Sequence, residues 1–162
     1  MKKTLLITFL ATFALGFISH YAYDFIPIKL LFPTNESIFE HLKLIFYPLL
    51  VVLTFEALKN NYNINYLLYK INVAIIISTF ILLIMFFAFY FIFNDINHFY
   101  NIVIYGISIF IGLKMATIKI DYPAFSSNIT VFIILLYTII FLTYSPFNIP
   151  LFFDELNFIN HF

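Results

Sequence analysis

Apolar residues in this chain come in long, nearly unbroken runs rather than in the short periodic stripes of a water-soluble fold. Leu5 to Tyr23 follows the charged pair Lys2-Lys3; Ile71 to Phe93 contains no charged residue; Phe99 to Ile118 is interrupted by Lys114 alone; Ser127 to Phe147 is again uncharged. A helix needs about 20 mostly apolar residues to cross about 30 Å of hydrocarbon, and all four runs reach that length. A fifth run, around residues 40–59, is less simple. Its uncharged part, Leu44 to Phe55, covers only about 18 Å at about 1.5 Å per residue. To span, it must draw in Glu40, His41 and Lys43 at one end or Glu56 and Lys59 at the other. Long side chains can snorkel to water from such positions. Pro48 predicts a kink, tolerable where neighbouring helices satisfy the freed carbonyl.

The pattern predicts an all-α, integral membrane bundle of five transmembrane helices in one domain, residues 1–162. The spans run roughly over 5–23, 40–59, 71–93, 99–118 and 127–147, with a C-terminal interfacial tail over 148–162. The positive start and the Ala14-x-Gly16 pair would also suit a cleaved signal peptide. The apolar run continues through Phe17 and Ile18, however, long enough to stay as an anchor.

Composition agrees. Of the 162 residues, 64% are hydrophobic and 10% charged, against about 25% charged in an ordinary soluble domain. The formal net charge is zero, and without a basic stripe nucleic acid is set aside as a partner; the expected partners are membrane lipids. Cysteine is absent, which removes disulfides, thiolate nucleophiles and cysteine-ligated metals together. The lysines give an orientation. With the N-terminus inside, Lys2, Lys3, Lys59, Lys70, Lys114 and Lys119 fall on the cytoplasmic side and Lys29 and Lys43 on the other, the bias of the positive-inside rule. Five spans then place the C-terminus outside the cytoplasm, in a multi-pass cell-membrane protein.

On that topology the four histidines, His20, His41, His98 and His161, share one side with Asp24, Glu36, Glu40, Asp95, Asp154 and Glu155; Glu56 and Asp121 face the cytoplasm. His20 and Asp24 are four apart on one helix face, a spacing for a metal pair or for a hydrogen bond that ties the helix end. Ser37 and Glu40 have capping-box spacing, and Glu40 with Lys43 makes an intrahelical pair. Capping leaves Asn35, Glu36 and His41 unexplained at a membrane border where charge is costly. Ser108, Gly112 and Ala116 form a small-residue stripe suited to close helix packing.

Two carboxylates, an imidazole and an amide within seven residues can bind a divalent cation or move protons. The candidate catalytic residues are Glu36, Glu40 and His41; the candidate substrate-binding residues are Asn35, Lys43 and Asp154. The candidate metal ligands are His20, Asp24, Glu36 and His41, for zinc or manganese. These residues suit a membrane-embedded, metal-assisted hydrolase or transferase acting on a lipid-type substrate. The alternatives are a small transporter or ion-binding protein, with Glu36, Glu40, Lys43 and Glu56 along a polar path, and a structural or accessory role. No strong metalloprotease spacing is present, and no internal repeat of the transporter kind.

The run Asn35-Glu36-Ser37-Ile38-Phe39-Glu40-His41-Leu42-Lys43, with His20-x-x-Tyr23-Asp24 before it and Pro150-Leu151-Phe152-x-Asp154 after it, resembles a family of small bacterial multi-pass membrane proteins of unknown function. Members often carry Trp at the position of Phe39, and the acidic tail after Asp154 is less typical of them. The resemblance implies an intact membrane bundle in which His20, Asp24, Asn35, Glu36, Glu40, His41, Lys43 and Asp154 belong together, and no established activity.

Overall fold

A computed structural model describes residues 2–22, 25, 31–33, 38–93, 98–118, 129, 133, 136 and 137, the side chains of Lys2, Ile38, Phe39 and His98 aside. Its helices are α1 (Lys2–Ala22), α2 (Ile38–Asn60), α3 (Ile64–Phe93) and α4 (His98–Met115), with no strand among the described residues. They run up, down, up and down. α1 packs on α2 and α4, and α3 packs on α2 and α4, so the four close into a ring.

Three helices, Lys3–Ala22, Glu40–Asn60 and Ile64–Phe93, are long and apolar enough to cross a membrane, and Phe99–Met115 is a shorter apolar helix. The five-span count is therefore not supported by the described residues. The predicted span 127–147 lies almost wholly outside them, with Ile129, Ile133, Leu136 and Tyr137 described there as helical. The fourth helix ends at Met115 rather than Ile118 because its last carbonyls turn over: Thr117 N bonds Lys114 O, and the Thr117 hydroxyl donates to the same carbonyl at 2.7 Å.

α3 begins at Ile64, seven residues ahead of the expected start, and the turn before it explains why. Asn61 sits at φ 51°, the left-handed conformation that asparagine tolerates just past a helix end. Tyr62 N then reaches back to Ala57 O at 3.0 Å, closing α2. Two residues on, the Asn63 side chain accepts from Asn65 N at 2.9 Å and caps α3. Three residues thus reverse the chain, and an apolar-run search misses the polar first turns of α3.

Pro48 lies inside α2 and has no N–H to give to the carbonyl four residues earlier, Leu44 O. The Tyr105 hydroxyl of α4 donates to Leu44 O at 2.9 Å, so a neighbouring helix satisfies the freed group. Its path crosses α1 at Gly16, where any Cβ would collide with the Tyr105 hydroxyl. Proline, tyrosine and glycine from three helices form one joint.

Between α3 and α4, a Cβ on Gly112 would lie 2.7 Å from Ala74 O and would also strike the Ser78 side chain, and Ser108 and Ala116 are fully buried. The small-residue stripe lets these backbones approach. The hydroxyls of Thr12, Ser19, Thr54 and Ser108 each donate to the carbonyl four residues back, which hides them within their own helices. The core between the helices is Ile45, Phe46, Leu49, Leu53, Ile75, Ile109 and Leu113. Tyr137 stacks on Phe46 at 5.1 Å between ring centres and donates to Thr79 at 3.0 Å, which places it on the α2–α3 side of the ring.

Candidate functional site

The antiparallel course of α1 and α2 sets the C-terminal end of the first beside the N-terminal end of the second. His20 and His41 meet there, their ring centres 5.4 Å apart and nearly perpendicular at 79°. Tyr21 stacks on His20 at 4.9 Å. Both imidazoles line a cavity of about 420 Å³ bordered by α1, α2 and α4, within the ordinary range of ligand pockets. Its polar members are His20, His41, Tyr21, Asn101 and Tyr105; its apolar members are Phe13, Gly16, Phe17, Leu44 and Ile102. Tyr105 and Phe13, in contact at 5.6 Å, close the end farthest along α1 from His20.

Glu40 and Lys43 are next to this cavity in sequence but outside its lining. The Lys43 ammonium donates to Glu40 Oε2 at 2.8 Å, with side chains 2% and 0% exposed. This is the expected intrahelical pair. The snorkelling expected for them does not occur, since both groups are turned into protein. Lys59, at the other end of α2, is exposed.

A second polar cluster lies at the opposite end of the bundle and was missed in the sequence. Glu56 Oε1 accepts from Lys70 Nζ at 2.6 Å and from the Tyr62 hydroxyl at 3.0 Å, while Oε2 accepts from the Thr8 hydroxyl at 2.9 Å. Lys70 also stands over the Tyr62 and Tyr66 rings at 5.1 and 5.8 Å, a cation–π arrangement. α1, α2 and α3 are thereby tied together. Tyr62, in the turn between the helices, has its phenol pushed up to about 12, first by burial and then by the hydrogen bond and charge of Glu56, with Tyr66 adding to it. A signal was available: Glu56 and Lys70 are each two helical turns from Asn63, so a tight reversal there must face them.

Of the candidate metal set, the structure brings His20 and His41 together, whereas Asp24 and Glu36 lie outside the described residues. Asn35, Ser37, Asp154 and His161 lie outside them too. Among the described residues no group of three or more His, Cys, Asp or Glu side chains could hold a metal ion. Tyr21, Asn101 and Tyr105 are the polar cavity residues that sequence reasoning did not find, since polar residues on a mostly apolar helix carry no local pattern.

Described residues that are helical apart from turns, three helices long and apolar enough to cross a membrane, and two buried ion pairs, Glu40–Lys43 and Glu56–Lys70, are together compatible with a helical membrane protein. A family model described as a family of unknown function (DUF6512) matches residues 1–159, and the chain belongs to that family. No curated protein and no solved structure matches it.

Proposed function

We propose that this protein is a multi-pass cell-membrane hydrolase or transferase that acts on a lipid-type amphiphile, with His20 and His41 as its working pair. The observation that carries the reading is the meeting of two imidazoles, from different helices, at the polar rim of a cavity whose remainder is largely apolar. Such a cavity suits a molecule with a hydrogen-bonding head and a hydrocarbon body. Imidazole is the side chain best matched to proton transfer near neutral pH, and Asn101 and Tyr21 add hydrogen bonds for the head.

A divalent cation fits the same pair. With Zn–N bonds of about 2.0–2.1 Å and tetrahedral angles, two ligating imidazoles have ring centres about 5 Å apart, close to the observed spacing. Zinc or manganese held by His20 and His41, with Asp24 or Glu36 as further ligands, would supply an activated water or a polarised carbonyl. Glu40 and Lys43 enter as positioning residues, because their side chains bond each other beside His41. In this reading Asn35 and Asp154 contact the head group, the N-terminus is cytoplasmic, and the site faces away from the cytoplasm.

The test is metal analysis of detergent-purified protein, together with mass spectrometry of vesicles of phosphatidylethanolamine and phosphatidylglycerol incubated with it. A bound metal or a cleaved or head-exchanged lipid, lost in H20Q and H41Q at normal accumulation, is expected. Neither metal nor lipid product from the wild type, with both variants indistinguishable from it, would hand the site to a structural role.

A further inference from the structure

Building on the amphiphile reading above, we infer that the cavity is loaded from the side: one hydrocarbon chain of the substrate enters from the bilayer through the seam between α1 and α4. The lining residues show the route. Phe17 and Tyr21 on α1 and Ile102 on α4 belong to the cavity wall, yet they are 46%, 55% and 43% exposed. They therefore lie at once on the cavity and on the outer apolar surface of the bundle, which in a membrane faces lipid. Leu44, opposite them on α2, is a cavity residue only 4% exposed, so it marks the back wall.

The seam is able to admit a chain because α1 and α4 make the sparsest contact of the four neighbouring helix pairs. Tyr137 does not plug it, since it docks on Phe46 and Thr79 across the ring. The inner limit is built by the proline joint. Gly16 leaves room for Tyr105 to reach Leu44 O, and Phe13 lies against Tyr105 and Gly106. Tyr105 and Phe13 thus form a floor that sets how far a chain can run. The head group stays at the other end, with His20, His41 and Asn101.

The route is tested on the wild-type protein in phosphatidylcholine vesicles, using a photoactivatable diazirine on the chain of either phosphatidylcholine or a free fatty acid, with insertion sites mapped by peptide mass spectrometry. Insertion at Leu44 and its neighbours, alongside that at outward residues such as Phe80, is expected. The phospholipid arm labelling Leu44 identifies a bilayer lipid as the chain's source; labelling by the fatty acid alone identifies a single-chain amphiphile. Insertion confined to outward residues in both arms overturns the inference. I102W, a change on the lipid-facing side of the seam, should cut Leu44 labelling several-fold and leave Phe80 labelling unchanged; undiminished Leu44 labelling would place the entry elsewhere. The wild-type readouts separate the two ideas. Leu44 labelling without lipid product or bound metal sinks the chemistry alone, whereas product or metal without Leu44 labelling sinks the entry route alone.

Discussion

Each end of the bundle buries a lysine–glutamate pair, and they differ in what lies beside it. At the Glu56 end, both Glu56 carboxylate oxygens have donors and Lys70 lies over two aromatic rings, all within three helices and one tight turn. At the His20 end, the Glu40–Lys43 pair is buried in the same way, but beside it two imidazoles line a cavity of about 420 Å³. Both ends hold ionisable groups in a largely apolar chain. The difference teaches that a polar group in an apolar bundle is a functional hint only once its surroundings are known; a pair enclosed by protein reads as a clasp, and a pair that lines a cavity is a candidate for a site.

The strongest way to break the comparison is to open the clasp. Lys70→Met leaves Glu56 buried without its cation, and loss of about 3–5 kcal/mol is expected from breaking a buried pair, read as a large fall in the helical melting temperature in detergent. Replacing Glu56 as well, by Leu, should recover much of it, because the uncompensated charge is removed. If the single variant melts like the wild type, the clasp is no stronger than a surface pair.

The proline joint comes next. Gly16→Ala forces Tyr105 off Leu44 O, and overpacking of this kind costs about 1–3 kcal/mol. Tyr105→Phe leaves the same carbonyl unsatisfied at about 1–3 kcal/mol. The two together should fall well short of the sum, since each removes the same bond. Additive losses in melting experiments would show that glycine and tyrosine act separately.

A smaller effect separates the ends by pH. Tyr62 has a folded value near 12 against an ordinary value of 10.0. The folded state therefore holds this proton more tightly than the unfolded chain. Its contribution is complete below pH 10, and is lost as pH rises from 10 toward 12. Tyr62→Phe should flatten the decline in melting temperature over that window; an unchanged slope would assign the alkaline loss to other tyrosines. The least structural change is expected from His20→Gln and His41→Gln, which should accumulate and melt nearly as the wild type does. A large drop in accumulation would make the histidine end a clasp like the other.

Much of the architecture was legible because hydrocarbon imposes length and continuity on apolar runs: α1 and the bulk of α2, α3 and α4 fall where those runs are. The Glu40–Lys43 pair was legible too, because helix geometry fixes which residues three apart are neighbours. The start of α3 was not, since Asn61 and Asn63 act through backbone geometry and capping rather than through hydropathy. Nor was the Glu56 cluster, whose members Thr8, Tyr62 and Lys70 lie up to 48 positions away. The amino-acid order by itself determined a set of apolar helices, a freed carbonyl at Leu44 and polar residues crowded near His41. Tertiary structure decided that Tyr105 would satisfy that carbonyl across Gly16, that His20 would face His41, and that the space beside them would stay open. Those outcomes depend on which helix surfaces meet, and a one-dimensional pattern carries the period of a helix but not the identity of its neighbour.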